Sequence, residues 1–267
     1  MGASIKNVSF VISVNDDGVL NNNFLASPMF NDKGREIDIV LIKNSRSAAL
    51  AYNEGANKAK NDLMIFCHQD VVFPANWLKW LDDEIAKLEQ FDKDWGVLGC
   101  IGCNKQGIMV GNIYCNANGQ QGKGSEKPEK IQTLDELLLI FKKSSNLRFD
   151  DTMPYFHFYG TDITITAKAI GKSSYVINAP CFHNTSKIIV LPKNFLFCYK
   201  YILKKWKEHL PIYTTCAIVS YWYLFEMHYE LTKDYFRTKL FGIKSKKRLT
   251  DRNEIAKIVS AMNPRPL

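Results

Sequence analysis

Three polar residues of this chain have the side chains and positions that a reactive site requires: Asp70, Asp162 and His183. A carboxylate and an imidazole suit Mn²⁺, and Mg²⁺ or Mn²⁺ usually takes one or two protein ligands beside phosphate oxygens and water. Asp162 opens an apolar, helix-like stretch, where a carboxylate either caps the helix or acts as a general base. We expect the helix N-terminus to lower the pKa of Asp162. Taken singly, Asp70 is better explained as a turn residue and His183 as a buried, hydrogen-bonded histidine.

The elements that lead to these residues predict a parallel sheet with its ligand-binding edge at the strand ends. Apolar runs of strand length occupy residues 8–14, 37–42 and 63–67, and helical spacing occupies residues 46–60 and 77–88. Strands that alternate with helices in this way form parallel sheets. Open α/β sheets bind ligands beyond the carboxyl ends of their strands, which is where Asp70 follows the third run.

The middle of the chain predicts shorter strands. Residues 95–103 and 108–114 have strand character around Gly and Asn turns, and residues 119–128 are a polar, Gly-rich loop. Residues 133–143 fit either a capped helix or a buried strand, and we favour the strand. The pattern then predicts a helix over residues 160–171 that ends at Gly171, a last strand over residues 175–179, and helices from residue 184 onward.

The net charge of +8 is concentrated near the C-terminus. Residues 1–183 hold 19 Lys/Arg and 21 Asp/Glu, whereas residues 184–267 hold 16 Lys/Arg and 6 Asp/Glu. A basic surface attracts lipid head groups, phosphates or nucleic acid, although it is also typical of a solvated helical surface. Trp206 and Trp222, with Lys204, Lys205 and Lys207 nearby, either pack helices or form a membrane-interface patch.

The cysteines and the termini indicate an intracellular location. Seven cysteines, an odd number, are typical of reduced, mostly buried thiols. Cys100, Cys103 and Cys115 lack the second ligand pair of a zinc site, so we interpret them as core residues. Residues 1–9 lack a secretory signal pattern, and no apolar run approaches the ~20 residues that span a bilayer. We therefore expect a cytoplasmic protein.

Five pieces of the chain, in this order, resemble motifs of the family 2 glycosyltransferases of the GT-A type. They are residues 10–16, residues 51–55, His68-Gln69-Asp70, residues 159–163 and His183, and together they cover roughly residues 8–185. The resemblance implies an α/β fold of GT-A type, with a Rossmann-like, mostly parallel sheet flanked by helices, over residues 1–185. Residues 186–267 then form a helical, basic, aromatic-rich C-terminal extension.

The resemblance also implies a role for each matching residue. Asp70 takes the place of the last Asp of the DXD motif that meets the metal, His183 that of a late metal-side histidine, and Asp162 that of the catalytic base. The implied contacts with the nucleotide sugar come from Ser13, Asn15, Asn44, Arg46, Asn53, His68, Gln69 and Asp135. The implied acceptor side is formed by His157 and Tyr159. The implied cofactor is Mn²⁺ or Mg²⁺.

The chain departs from the family pattern at three positions. His68 replaces the first Asp of DXD, Asn44 replaces the acid after the second strand, and Thr161-Asp162 leaves one carboxylate of an acidic pair. The change at Asn44 puts a strict uridine preference in doubt. One base without a neighbouring carboxylate nucleophile favours direct attack by the acceptor and inversion at the anomeric carbon.

These observations predict an inverting, metal-dependent glycosyltransferase of hexosyltransferase type. It would move a sugar from a nucleotide sugar to a glycan or lipid-linked acceptor in polysaccharide biosynthesis of the cell envelope, with peripheral contact at the inner face of the membrane. The main alternative, favoured by His68 and Asn44, is a non-catalytic sugar-nucleotide-binding or glycan-binding protein with the same fold. A nucleic-acid-binding role for the basic third has no recognised motif in its support.

Overall fold

The computed structural model describes residues 7–31, 34–186, 192–241 and 247–263. Residues 1–6, which were considered for a targeting signal, lie outside the described residues. The same is true of residues 187–191, 242–246 and 264–267, which belong to the predicted basic extension.

Seven α-helices and fifteen strands make up the described part of the chain. The helices are α1 (Asp17–Asn22), α2 (Ala48–Lys58), α3 (Trp77–Leu88), α4 (Tyr159–Ala169), α5 (Lys193–Lys205), α6 (Tyr221–Phe241) and α7 (Arg252–Ser260). The strands are β1 (Asn7–Val14), β2 (Glu36–Lys43), β3 (Leu63–His68), β4 (Val71–Val72), β5 (Leu98–Gly99), β6 (Ile101–Cys103), β7 (Met109–Cys115), β8 (Gly119–Gly122), β9 (Glu129–Lys130), β10 (Thr133–Leu134), β11 (Leu138–Lys142), β12 (Tyr175–Val176), β13 (Phe182–His183), β14 (Ile212–Tyr213) and β15 (Ile218–Val219).

A seven-stranded sheet in the order β2-β1-β3-β11-β5-β12-β9 forms the centre of the molecule. Its pairings make β2, β1, β3, β5 and β12 run in one direction, and β11 and β9 in the other. The predicted α/β fold class, with a mostly parallel sheet flanked by helices, is therefore confirmed. Residues 133–143 form β10 and β11, so the preference for strand over helix is also confirmed.

Helix α2 packs closely against β1. Ser47 caps α2, because its hydroxyl accepts a hydrogen bond from the backbone N–H of Leu50. Gly55 faces β1, and a Cβ at this position would lie only 2.1 Å from Cγ1 of Val11. A residue without a side chain is therefore required there, and it holds the helix directly against the sheet.

A second sheet has the strand order β10-β6-β7-β13-β4, and its strand β13 places His183 near the end of β3. β13 pairs antiparallel with β4, so that His183 lies opposite Val71, the residue after Asp70. β8 pairs with β7, and the prediction of a loop throughout residues 119–128 is therefore wrong for residues 119–122. Gly119 and Gly122 have φ values of +72° and +77°, which let this polar segment fold back as a strand.

The C-terminal region packs on the rest of the chain at two places. Residues of α5, including Phe195, Tyr199 and Ile202, are buried in the main hydrophobic core. Residues of α7 pack with Val72 and Phe182 in a smaller cluster. The predicted helices are present here, together with an unpredicted hairpin of β14 and β15, while a domain boundary at residue 185 stays a prediction. Among the helices of the described ranges, none offers a stretch both apolar and long enough to cross a bilayer.

Candidate functional site

A cavity of about 300 Å³ lies at the carboxyl ends of β1, β2 and β3, where the sequence predicts the ligand edge. The parallel register places these ends side by side, with Ser13 next to both Ile42 and His68. The cavity is lined by Ser13, Val14, Asn15, Asn44, Ser45, Ala48, Tyr52, His68, Gln69, Asp70, Phe156, Tyr159 and Arg248. Most residues that the resemblance assigns to the nucleotide sugar thus share one pocket.

Gln69 fixes the loop that forms one wall of this cavity. Its Oε1 accepts hydrogen bonds from the backbone N–H groups of Asn15 (3.0 Å) and Asp16 (3.2 Å). Its Nε2 donates to Oδ1 of Asn15. The side chain of Gln69 is nearly buried and its amide is engaged by the protein, so it positions the loop after β1.

Three potential metal ligands lie close together: His68 and Asp70, which line the cavity, and His183 beside them. Their ligand atoms all lie within 4.8 Å of one another. Nε2 of His183 is 3.3 Å from Oδ1 of Asp70, and Nδ1 of His68 is 4.0 Å from the same oxygen. In the part of the chain that the structure describes, no other group of three or more His, Cys, Asp or Glu residues is arranged for a metal. Cys100, Cys103 and Cys115 therefore do not form such a group.

The protonation of this cluster suits a divalent cation. Burial alone would raise the pKa of the Asp70 carboxyl, but contacts with His183, His68 and Arg248 outweigh burial, and the pKa lies well below its usual range. Burial lowers the pKa of His68, which favours the neutral imidazole that ligates metals. Nε2 of His68 also lies 2.8 Å from the hydroxyl of Tyr159, which fixes the ring. One ionised carboxylate and two imidazoles fit Mn²⁺ by their donor chemistry.

Arg248 is a residue of this cavity that the sequence did not reveal. Its Nη2 donates to Oδ2 of Asp70 over 2.9 Å, and its Nε donates to the same oxygen over 3.3 Å. The guanidinium comes from a segment 178 positions after Asp70, with no motif around it. The one sequence feature that could have indicated it is the excess of Lys and Arg in the C-terminal third, which predicts contact with anionic groups.

Asp162 lies in the first turn of α4 and does not line the cavity. Its carboxylate is buried and accepts hydrogen bonds from Nε1 of Trp206 (2.7 Å) and Nζ of Lys205 (2.9 Å), both at the C-terminal end of α5. Burial raises the pKa of Asp162 even though Lys205 opposes the shift. The expectation of a lowered pKa is therefore wrong, because loss of water around the carboxylate outweighs the helix dipole and the ammonium group.

Four other predicted residues lie beside the cavity or are engaged elsewhere. Arg46 and Asn53 line a neighbouring, more open cavity of about 460 Å³ together with Asn44, whose φ of 59° is left-handed. The amide of Asn53 is bonded to the backbone of Phe149. Asp135 accepts hydrogen bonds from the backbone N–H of Leu137 and the hydroxyl of Thr215, and His157 packs against Phe195. None of these four side chains belongs to the group of candidate metal ligands, although Asp135 and His157 lie near enough to influence the pKa of His68.

Comparison with known proteins gives one family. A family model named Glycosyltransferase like family matches residues 9–194, which is more than half of the chain. A curated protein of Fuscovulum blasticum, named ATP synthase subunits region ORF 6, is 25% identical over 135 residues, which are 47% of this chain and 53% of that protein. The chain thus spans about half the length of this relative.

Solved structures with a similar backbone include two proteins. TarS 1–349 of S. aureus, in complex with UDP, has 11% sequence identity and a TM-score of 0.48, over 88% of this chain and 72% of that chain. The mannosyltransferase PcManGT of Pyrobaculum calidifontis, in complex with GDP-Man and Mn²⁺, has 10% identity and a TM-score of 0.43, over 77% of this chain and 62% of that chain.

Proposed function

Because the chain belongs to the glycosyltransferase like family, we propose that it transfers a sugar from a nucleotide-sugar donor to a glycan or lipid-linked acceptor. The observation that carries this proposal is the cavity at the ends of β1 to β3, which brings polar residues from all three strands against a cluster of candidate metal ligands. The donor lies with its nucleotide towards Asn15 and Asn44 and its diphosphate towards Asp70. Polysaccharide biosynthesis in the cell envelope is the process we propose for it.

His68, Asp70 and His183 are the residues that would hold Mn²⁺ or Mg²⁺. The bound cation would neutralise negative charge on the departing diphosphate. The protein's own contribution is to keep Asp70 ionised and His68 neutral, so that the ligand atoms are available without loss of protons at physiological pH.

We propose Asp162 as the general base of an inverting reaction. The acceptor hydroxyl gives its proton to the Asp162 carboxylate while its oxygen bonds to the anomeric carbon, and the bond from that carbon to the diphosphate oxygen breaks. A raised pKa makes the carboxylate a stronger base. We propose that Asp135 contacts the donor sugar and that His157 and Tyr159 contact the acceptor, Tyr159 from its place in the lining of the cavity. The acceptor must displace Lys205 or Trp206 from Asp162 to reach it.

The Asp162 carboxylate is occupied by Lys205 and Trp206, and this observation also favours the alternative, a non-catalytic sugar-nucleotide-binding or glycan-binding protein of the same fold. In this case the carboxylate has a structural role, as the partner of Lys205 and Trp206 that holds the end of α5 against α4. Nucleotide binding at the cavity is then expected without turnover.

Two measurements separate these functions. A panel of nucleotide sugars is first screened by thermal shift with and without Mn²⁺, since a ligand of the native state stabilises it. Donor hydrolysis and transfer are then compared for wild type, Asp70→Ala, Asp162→Asn and the exposed control Asp83→Asn. We expect activity to be lost in the first two variants and kept in the control. Full activity in Asp162→Asn would refute its role as base, and binding without turnover in wild type would support the alternative.

We further propose that α6 and α5 contact an anionic membrane surface. Trp222, Phe225 and Tyr229 recur every three or four residues on α6 and follow directly on Tyr221, and each of the four side chains is at least 59% exposed. Three exposed lysines, at positions 193, 200 and 204, lie along α5. Aromatic rings and lysines together suit the interface of an anionic bilayer.

Vesicles of phosphatidylglycerol, but not phosphatidylcholine, should retain the wild type. Trp222→Ser with Phe225→Ser should release it, and the exposed control Phe91→Ser should not.

A further inference from the structure

Arg248 lines the cavity beside Asp70, towards which the proposed function places the donor diphosphate. It contacts Oδ2 of Asp70, while Oδ1 of the same carboxylate faces His183 and His68. Nε also donates to the backbone oxygen of Asn184 over 3.1 Å. The two oxygens of Asp70 therefore have different partners, an arginine on one side and the candidate metal ligands on the other.

The segment that carries Arg248 is held in place by Asn184, the residue after the candidate metal ligand His183. Asn184 is fully buried, and its Oδ1 accepts from the backbone N–H of Leu249 over 2.8 Å while its Nδ2 donates to the backbone oxygen of Leu249 over 2.9 Å. A few residues later, α7 packs Ile255 and Val259 against the second sheet. The backbone that follows Arg248 is thus anchored to the core, and the guanidinium itself is bonded to Asp70 and to the backbone oxygen of Asn184.

The arginine keeps hydrogen-bonding capacity for a ligand. A guanidinium has N–H groups in a rigid fork that matches phosphate oxygens, and Asp70 and Asn184 use only part of it. The remaining N–H groups have no partner within the described ranges, and the side chain is 35% exposed while it lines the cavity. A phosphate oxygen is the acceptor that fits this fork best.

We propose that Arg248 binds the diphosphate of the nucleotide and holds it even without a metal ion. This inference rests on the proposed function for its choice of ligand, a nucleoside diphosphate. Asp70 is shared, with Arg248 on Oδ2 and the cation on the side of Oδ1. The chain then has two cationic contacts to the diphosphate, one of them permanent, so that metal removal weakens nucleotide binding without abolishing it.

Calorimetry with inorganic pyrophosphate, UDP and GDP in EDTA tests this directly. Wild type should bind pyrophosphate, and Arg248→Gln should lower the affinity by about ten- to hundredfold, the range of a charged hydrogen bond. Arg252→Gln, in the same segment and bonded to the exposed Asn22, is the matched control and should bind as wild type does. Uridine, which has no phosphate, should give no difference between the variants.

Binding of Mn²⁺, followed by its paramagnetic resonance, shows whether the site stays intact. Arg248→Gln should keep or tighten Mn²⁺ binding, since a competing cation has left Asp70. Unchanged pyrophosphate affinity in this variant, or no metal-free binding by wild type, overturns the proposal. If Arg248→Gln loses Mn²⁺ as well, Arg248→Lys decides: weaker pyrophosphate binding with intact Mn²⁺ binding supports the proposal, and unchanged pyrophosphate binding overturns it. The proposed function fails separately, if wild type with Mn²⁺ uses no nucleotide sugar.

Discussion

Replacement of Asn184 by alanine should cost the protein a large share of its stability. The side chain makes three hydrogen bonds in a fully buried position: to Oδ1 of Asn23 over 2.7 Å, and to the oxygen and N–H of Leu249 over 2.9 and 2.8 Å. Each is worth about 1 kcal/mol net, and buried partners left unpaired add to the loss. We expect the free energy of unfolding to fall by about 3 kcal/mol, against a usual total of about 5–15 kcal/mol.

Urea unfolding followed by tryptophan fluorescence measures this change, and hydrogen exchange locates it. The amide of Leu249 should lose protection, because its acceptor is removed. A thermal midpoint lower by about 6–12 °C corresponds to the same energy for a chain of this size. Asn22→Ala, which removes one exposed contact with Arg252 of the same segment, should change stability little. A loss below about 1 kcal/mol for Asn184→Ala, or equal losses in both variants, would refute the reasoning, since burial of the bonds is its premise.

Three further changes test the packing and the charges. Gly55→Ala should destabilise the protein by about 1–3 kcal/mol in urea, because its Cβ would overlap Val11, and an unchanged or higher stability would contradict the contact. Phe66→Ala, at a fully buried ring, should lower the free energy of unfolding by about 3–5 kcal/mol, and a loss near zero would contradict its place in the core. Burial would lower the pKa of Lys205, but two carboxylates outweigh it and raise that pKa, so its stabilisation is present below about pH 10.4 and is lost as the pH rises through the raised value. Unfolding curves of wild type and Lys205→Met between pH 9 and 12 should therefore converge, and parallel curves would contradict the pairing.

The parts of the fold that local sequence patterns determine were predicted well. The apolar runs of β1, β2 and β3 and the helical spacing of α3 follow from periodicity, and residues 77–88 agree with the observed helix. The glycine that ends α4 has φ +84° at Gly171, as a helix stop requires. Asp70 and His183 were also expected to meet, because both follow strands, and their side chains lie 3.3 Å apart. Their role as metal ligands stays a prediction.

The parts that were missed depend on contacts between distant segments. Lys205, Trp206 and Arg248 reach the site only because α5 and the segment around residue 248 pack on the sheets, and no local pattern encodes that packing. The pKa of Asp162 was predicted in the wrong direction for the same reason, since its burial is created by α5. The two-residue strands such as β13 are too short for a periodic signal, and β8 is polar.

The separation along the chain of the residues that pair at the cavity has a consequence for how the protein folds. Val71 pairs with His183, and Asp70 meets Arg248 only after 178 further positions. Contacts between such remote segments have a loop-closure entropy cost that local contacts do not have, so we expect them to form late in folding. During synthesis, β1, α2 and β3 can therefore assemble on the ribosome well before the cavity is complete. Until residues 247–263 have emerged, Asp70 lacks its Arg248 partner, and the part of the cavity wall that Arg248 forms is missing.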